Sequence, residues 1–351
     1  MMRIHRDFVG GNIKVIKEEN NEIFLENELR DTDNDWFYWA FCVEGAAGME
    51  LTFHMQKNRI GYWGPAVSHD CENWKWHGQR EGDSFTYKFG QDENKVFFAH
   101  HMLYPQKRFY ELAEHLGFRV KELCKSLKGR SVPFIEFGEG SRTMILTARH
   151  HACESTGSYV LEGVLEEFVK NPLADTRVMC VPFVDMDGVL DGDQGKGRSP
   201  HDHNRDYIDE PLYPETAAIM KYANENGANY VFDFHSPWHW GGQNDRIFVV
   251  RKSAERADDY DLFGTILGKE CGENSMKYSM EFDQHFGVEW NKGGPCFTVE
   301  MMKHPRCEMS LTLESTYFGV PDDSVSVEKL INLGRAFSRT AKKYDEEKHK
   351  G

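Results

Sequence analysis

The chain has 351 residues, of which 40% are hydrophobic and 28% charged, and a formal net charge of -15. That length and apolar content support one large or two ordinary domains with a proper core, and the acidic balance excludes a general binder of nucleic acid or of anionic membrane. No apolar run approaches the roughly 18 residues of a membrane-spanning helix. The N-terminal Met-Met-Arg-Ile-His-Arg-Asp-Phe has no apolar signal core, and the eight scattered cysteines include no Cys-x-x-Cys pair, so the expectation is a cytoplasmic protein with reduced thiols.

Residues 1–105 read as an all-β region. Ile13-Lys-Val-Ile, Glu22-Ile-Phe-Leu, Trp36-Phe-Tyr-Trp-Ala-Phe-Cys-Val, Met49-Glu-Leu-Thr-Phe-His-Met, Ser84-Phe-Thr-Tyr-Lys-Phe and Lys95-Val-Phe-Phe-Ala-His are short aromatic or β-branched runs divided by Gly, Asn and Asp. This spacing predicts an antiparallel β-sandwich. Trp63, Trp74 and Trp76 read as core or packing residues of that region. Tyr104-Pro-Gln marks a break, and a helical pattern runs from Phe109 to about Leu127. Strands and helices then alternate. Strands are expected over Ser131–Phe137, Arg142–Thr147, Arg177–Val184 and Tyr230–Phe234, with helices after Ser158 and over Glu215–Asn226. Ile247–Val250 reads as a strand, Cys296–Glu300 and Ser310–Glu314 as strand-like runs, Val327–Tyr344 as a closing helix, and Asp345–Gly351 as a frayed tail. The expected architecture is a β-sandwich over 1–105 followed by an α/β/α domain with a mixed central sheet over 106–345.

Ligand-type side chains fall where this pattern turns from strand to helix. His151 and Glu154 follow the apolar run Met144-Ile-Leu, and His235 follows Tyr230-Val-Phe-Asp-Phe. In open α/β sheets, ligands bind beyond the carboxyl ends of strands. Two histidines and a glutamate with a fourth position open make a catalytic zinc ligand set; His150 competes with His151 for its place. A glycine- and charge-rich loop, Gly195-Lys-Gly-Arg-Ser-Pro-His-Asp-His-Asn-Arg-Asp206, adds further chemistry. Arg205 offers a planar fork for a carboxylate, with the Asn204 amide beside it. Arg198 is a cation suited to a developing oxyanion, and Asp202 could accept the ring N–H of a ligating histidine. His201, His203, His239 and Trp240 read as packing or loop residues.

These segments resemble the zinc metallocarboxypeptidases, the cytosolic carboxypeptidase subfamily above all. Ala148-Arg-His-His-Ala-Cys-Glu-Ser-Thr-Gly-Ser158 looks like that family's Ala-Arg-x-His-Pro-x-Glu-x-x-Gly-Ser. Asp-x-Asp-Gly-Val at 185–189, Asp-x-Asn-Arg at 202–205, Asp-Phe-His-Ser at 233–236 and Leu-Thr-Leu-Glu-Ser-Thr-Tyr-Phe-Gly at 311–319 match in the same order. The β region, with Trp-Phe-Tyr near residue 36 and Trp-Lys-Trp-His-Gly near 74, is similar to the subfamily's extra domain. The resemblance implies one zinc ion held by His151, Glu154 and His235, with Glu314 as general base. It also implies Asn204 and Arg205 on the α-carboxylate of a peptide or protein C-terminus, and Asp202 orienting His151. Glu300 competes with Glu314, which is preferred for its distance to the closing helix. The relatives' oxyanion arginine aligns with Gly195, so Arg198 takes that role, with Lys196 behind it; Tyr278 and Trp290 are candidates for a substrate-capping aromatic. The expected activity is C-terminal peptide-bond hydrolysis. The alternatives are a zinc amidohydrolase acting on N-acyl amino acids and a non-catalytic binding module.

Overall fold

The computed structural model describes residues 2–350. Among them, nine strands come first: β1 (Arg3–His5), β2 (Lys14–Glu19), β3 (Glu22–Glu26), β4 (Ala40–Glu44), β5 (Glu50–Met55), β6 (Ala66–Ser68), β7 (Lys75–Trp76), β8 (Ser84–Lys88) and β9 (Lys95–Ala99). They form two sheets, in the orders β1-β4-β9-β6-β7 and β2-β3-β5-β8. The pairings are antiparallel apart from β3 with β5, which run parallel. β3, β5 and β8 bury every second residue, as strands with one wet face do. Their inward residues, Ile23, Leu25, Leu51, Phe53, Phe85 and Tyr87, meet Phe41, Val43, Val96 and Phe98 of the other sheet in one apolar core.

β4 and β9 are buried on both faces. Their second face, carrying Ala40, Cys42, Phe97 and Ala99, joins the main core of the rest of the chain. The five-stranded sheet is therefore packed between the four-stranded sheet and the α/β body. The strand expected from Trp36 begins only at Ala40, because the backbone N–H of Tyr38 is given to Gln194 Oε1 (2.9 Å) instead of a neighbouring strand.

The α/β body contains α1 (Gln106–His115), β10 (Lys121–Lys125), β11 (Ser131–Phe137), β12 (Arg142–Ala148), α2 (Ser155–Lys170), β13 (Thr176–Val181), α3 (Met186–Asp191), α4 (Pro214–Asn226), β14 (Tyr230–His235), β15 (Phe248–Val250), α5 (Ala257–Glu270), α6 (Phe297–Met302), β16 (Met309–Glu314), β17 (Gly319–Val320), β18 (Asp323–Ser324) and α7 (Val327–Lys348). Its seven-stranded sheet has the order β10-β11-β13-β12-β14-β16-β15. β13, β12, β14 and β16 are parallel, while β10, β11 and β15 run against their neighbours. The parallel strands are buried almost throughout, which accounts for their near-continuous apolar sequences. α2 and α7 cross where Gly163 and Gly334 meet; a Cβ on either would come within 1.9 Å of a carbonyl oxygen of the other helix.

Three local expectations are corrected. The helix from Phe109 ends at His115, since Gly117 turns left-handed (φ +75°) and the chain returns as β10. Cys296–Glu300 is the start of α6, not a strand: a short apolar run carries no period of its own, and the place beside β14 is filled by β16. The tail stays helical to Lys348, with Asp345 bonded to Arg142 (3.1 Å) and to the Tyr230 hydroxyl (2.6 Å). Gly351 lies outside the described residues.

Candidate metal centre

Three adjacent parallel strands end at one edge. β12 runs into Arg149-His-His, β14 ends on His235, and β16 ends on Glu314. Ala148 and Phe234 are cross-strand partners, as are His235 and Glu314. After β12 the chain reverses through Arg149 (φ +62°), whose buried guanidinium holds the turn by donating to Ala152 O (2.7 Å). α2 then starts at Ser155. Gly157 lets its first turn lie on β14, for a Cβ there would sit 2.7 Å from Phe234 O. This close approach brings His151 and Glu154 against His235.

Glu154 is 1% exposed and forms the middle of the cluster. Its Oε1 is 2.8 Å from His151 Nδ1, and its Oε2 is 2.7 Å from His235 Nδ1 and accepts the Ser236 N–H at 3.2 Å. The far ring nitrogens are held by carboxylates. His151 Nε2 lies 3.2 Å from Asp202 Oδ2, and His235 Nε2 lies 2.6 Å from Asp233 Oδ2. A carboxylate behind each imidazole fixes its tautomer and aims the other nitrogen into the site. His151, Glu154 and His235 offer ligand atoms all within 4.8 Å of one another. Two imidazoles and one carboxylate, each oriented from behind, fit a divalent metal of the zinc type. Burial alone would raise the Glu154 pKa, yet Lys196, His151 and His235 together hold it well below the usual range. Burial lowers the pKa of His235, but Asp233 and Glu154 outweigh this and raise it.

His150 faces the other way. It is fully buried, with Nδ1 2.9 Å from Asp233 Oδ1 and Nε2 2.7 Å from the Tyr207 hydroxyl. His150, Asp233 and His235 also offer three ligand atoms within 4.8 Å. Asp233, however, is occupied: Oδ1 accepts from Thr147 Oγ1 (2.7 Å) and meets His150, and Oδ2 meets His235. It serves as a bridge that orients both rings. This role of Asp233 was not read from the sequence, although its place two residues before His235 puts both on one face of a strand.

Glu314 is 8% exposed, and its Oε2 has no hydrogen-bond partner among the described residues. Burial raises its pKa; His235 and Lys196 pull the other way, and the Glu154 charge adds to the rise. Glu300 sits on α6, paired with Lys303 one turn on. Asp202 begins a short turn over His203–Arg205 by accepting the Asn204 N–H (2.8 Å), so one carboxylate holds both His151 and that turn. Asn204 lies with Nδ2 3.5 Å from His235 Nε2, and its Oδ1 accepts the Phe297 N–H (3.1 Å). Arg205 is exposed beside Asp202.

Arg198, expected as the oxyanion cation, has its side chain directed to other partners. Its guanidinium is spent on carboxylates: Asp185 (2.5 Å), Asp193 (3.1 Å) and Asp31 (3.7 Å). The cation at the cluster is Lys196, whose ammonium contacts Glu154 Oε1. Tyr278 is also displaced, its hydroxyl donating to Asp283 (2.9 Å) inside a separate cavity of about 340 Å³. Trp290 is 54% exposed and stands 5.8 Å from the ammonium of Lys252, whose charge also reaches Glu314. His203 stacks on Tyr213, His239 on Phe37 and Trp240 on Tyr62, all as packing. The Tyr213 hydroxyl bonds to the backbone carbonyl of His201 (2.6 Å).

No family model matches the chain. An uncharacterized protein of Zymomonas mobilis is 25% identical over 342 residues, covering 90% of this chain and 88% of that protein. Cytosolic carboxypeptidase 2 of Xenopus tropicalis is 27% identical over 303 residues, covering 74% of this chain; the chain spans 30% of that relative's length. A metallo-carboxypeptidase from Pseudomonas aeruginosa, solved with (2-guanidinoethylmercapto)succinic acid, superposes with a TM-score of 0.79 over 98% of this chain and 99% of its own, at 19% identity. No helix among the described residues is long and apolar enough to cross a membrane. Over most of its sequence this chain is similar to the cytosolic carboxypeptidases, and it shares its two-part fold with a metallo-carboxypeptidase of known structure.

Proposed function

We propose that the chain is a zinc-dependent carboxypeptidase that hydrolyses the C-terminal peptide bond of peptide or protein substrates. One observation supports this reading above the others. The ligand atoms of His151, Glu154 and His235 converge at the ends of adjacent strands, and Glu314, the cross-strand partner of His235, has a carboxylate oxygen without a hydrogen-bond partner among the described residues.

His151 Nδ1, Glu154 and His235 Nδ1 would hold the ion, with Asp202 and Asp233 fixing the two rings. A zinc ion bound there supplies Lewis acidity and the activation of a water molecule. Glu314 is the proton carrier. Its Oε2 takes a proton from the attacking water and gives it to the leaving amine nitrogen as the C–N bond breaks. Burial suits it to this task by raising its pKa and so weakening its preference for the charged form. Arg205, exposed at the rim, would clasp the substrate α-carboxylate with its planar fork, and the Asn204 amide would add a donor. Asp202 serves both ends of this arrangement, since it holds His151 and caps the turn bearing Asn204 and Arg205. The names of the cytosolic relatives support a cytoplasmic setting as part of the same proposal.

The test is metal analysis of the purified protein together with hydrolysis of N-blocked dipeptides and of N-acyl amino acids. One zinc per chain and cleavage of the dipeptides with a free C-terminus are expected. Preference for N-acyl amino acids would reassign the same centre to an amidohydrolase, and metal-free protein with full activity would end the proposal.

A further inference from the structure

The geometry points to Lys196 as the cation that stabilises the negative charge developing on the scissile carbonyl oxygen, a role that rests on the carboxypeptidase reading above. Four observations carry it. First, Lys196 is 7% exposed, and its ammonium contacts Glu154 Oε1. Second, two carbonyls that follow His235 locate that ammonium, Ser236 O at 2.9 Å and Pro237 O at 3.2 Å, with the Trp36 ring 5.6 Å away on another side. The Pro237 bond is the longest of these and is the one an incoming oxygen would replace. Third, Glu314 is the cross-strand partner of His235, and the Lys196 ammonium is held by the carbonyls just after His235, so the Lys196 charge acts on the Glu314 carboxylate.

Fourth, the neighbouring positions cannot do this work. Gly195 adopts φ +76°, and a Cβ there would lie 2.1 Å from Ala152 N and 2.9 Å from His151 Cα. No side chain fits at 195, so the chain delivers its cation from the next residue. Arg198 is bound by Asp185, Asp193 and Asp31. Arg205, at the rim, is assigned to the substrate carboxylate.

The chemistry balances without any further reactant. As the water oxygen bonds to the carbonyl carbon, the C=O π pair moves onto the oxygen, which meets the ammonium. The pair returns as the C–N bond breaks, and the amine leaves with the proton carried by Glu314. A preorganised donor aimed at such an oxygen in a dry site is worth about 100- to 1,000-fold in kcat.

The experiment compares wild type, Lys196→Met and Lys196→Arg in three readouts: zinc content, kcat and KM on an N-blocked dipeptide, and affinity for the phosphonate analogue of that dipeptide. Lys196→Met is expected to keep one zinc, to lose about 100- to 1,000-fold in kcat with KM within about threefold, and to lose phosphonate affinity by a similar factor. Lys196→Arg is expected to recover part of both losses. A Lys196→Met protein within about fivefold of wild-type kcat overturns the assignment. Loss of zinc in both variants also overturns it, and makes Lys196 a residue that only holds Glu154. A wild-type protein that cleaves no dipeptide overturns the carboxypeptidase reading itself, and the role of Lys196 with it.

Discussion

His235 and Glu314 are direct cross-strand partners at the carboxyl ends of β14 and β16. Two strands in parallel register thus set the His235 imidazole beside a carboxylate whose Oε2 has no partner among the described residues. The separation between proposed ligand and proposed base is a property of the sheet, not of a loop. Replacing Glu314 by Gln keeps the shape and removes the proton carrier. Peptidase activity is expected to fall by about 100- to 10,000-fold with zinc content unchanged, as measured by steady-state kinetics and metal analysis of the same sample.

Asp233 receives the His235 Nε2 at 2.6 Å and the His150 Nδ1 at 2.9 Å. Asp233→Asn can still accept one of these bonds but cannot bridge both rings as an anion. Zinc affinity, measured by competition with a chromogenic chelator, is expected to drop about 10- to 100-fold. An unchanged affinity would show that the ring orientations are set by packing alone.

Arg198 ties the loop after α3 to the β region through Asp31, and to Asp185 and Asp193. Removing the guanidinium leaves buried Asp185 and Asp31 without this cation, while Asp193 keeps Arg30. Arg198→Met is expected to lower unfolding stability by about 3–5 kcal/mol in denaturant titrations. The kcat of the folded fraction should remain within about threefold of wild type, since the structure keeps Arg198 away from the ligand cluster.

Glu215 is 1% exposed at the start of α4, and its Oε2 lacks a partner among the described residues. Burial, aided by the charges of Asp185, Asp187 and Asp206, pushes its pKa up to about 7 from an ordinary 4.5. Between those values the folded protein holds a proton that the unfolded chain has released. Stability therefore falls as pH rises through this window and levels off above it. Glu215→Gln should remove up to about 3 kcal/mol of that loss. Thermal melts are expected to show the variant above wild type at pH 8 and level with it at pH 4.

The proposed metal ligands were legible because they follow apolar runs, which in sequence mark the sheet edge. His235 and the His151–Glu154 pair needed only the general placement of ligands beyond strand ends. The choice between His150 and His151 was not legible, for it depends on which ring Asp233 and Tyr207 take up. Glu300 competed with Glu314 because Cys296–Glu300 looks like a strand in isolation, while its helical form depends on β16 filling the adjacent place in the sheet. The partners of Arg198 were not legible, for a tertiary reason. Asp31, distant in sequence, accepts the backbone N–H of Gln194 and of Gly195 and so shapes the loop that turns Lys196 inward and Arg198 outward. The sandwich was readable from alternating burial, but not the parallel pairing of β3 with β5, which follows from chain crossings that alternation does not encode.

The central claim is that His151, Glu154 and His235 hold one zinc ion. Anomalous diffraction at the zinc edge on crystals of the zinc-loaded protein tests it most directly. The account predicts a single peak about 2.0–2.2 Å from a nitrogen of each histidine and an oxygen of Glu154, with Glu314 alongside but not bound. A peak ligated elsewhere, or one that His235 does not touch, would contradict it.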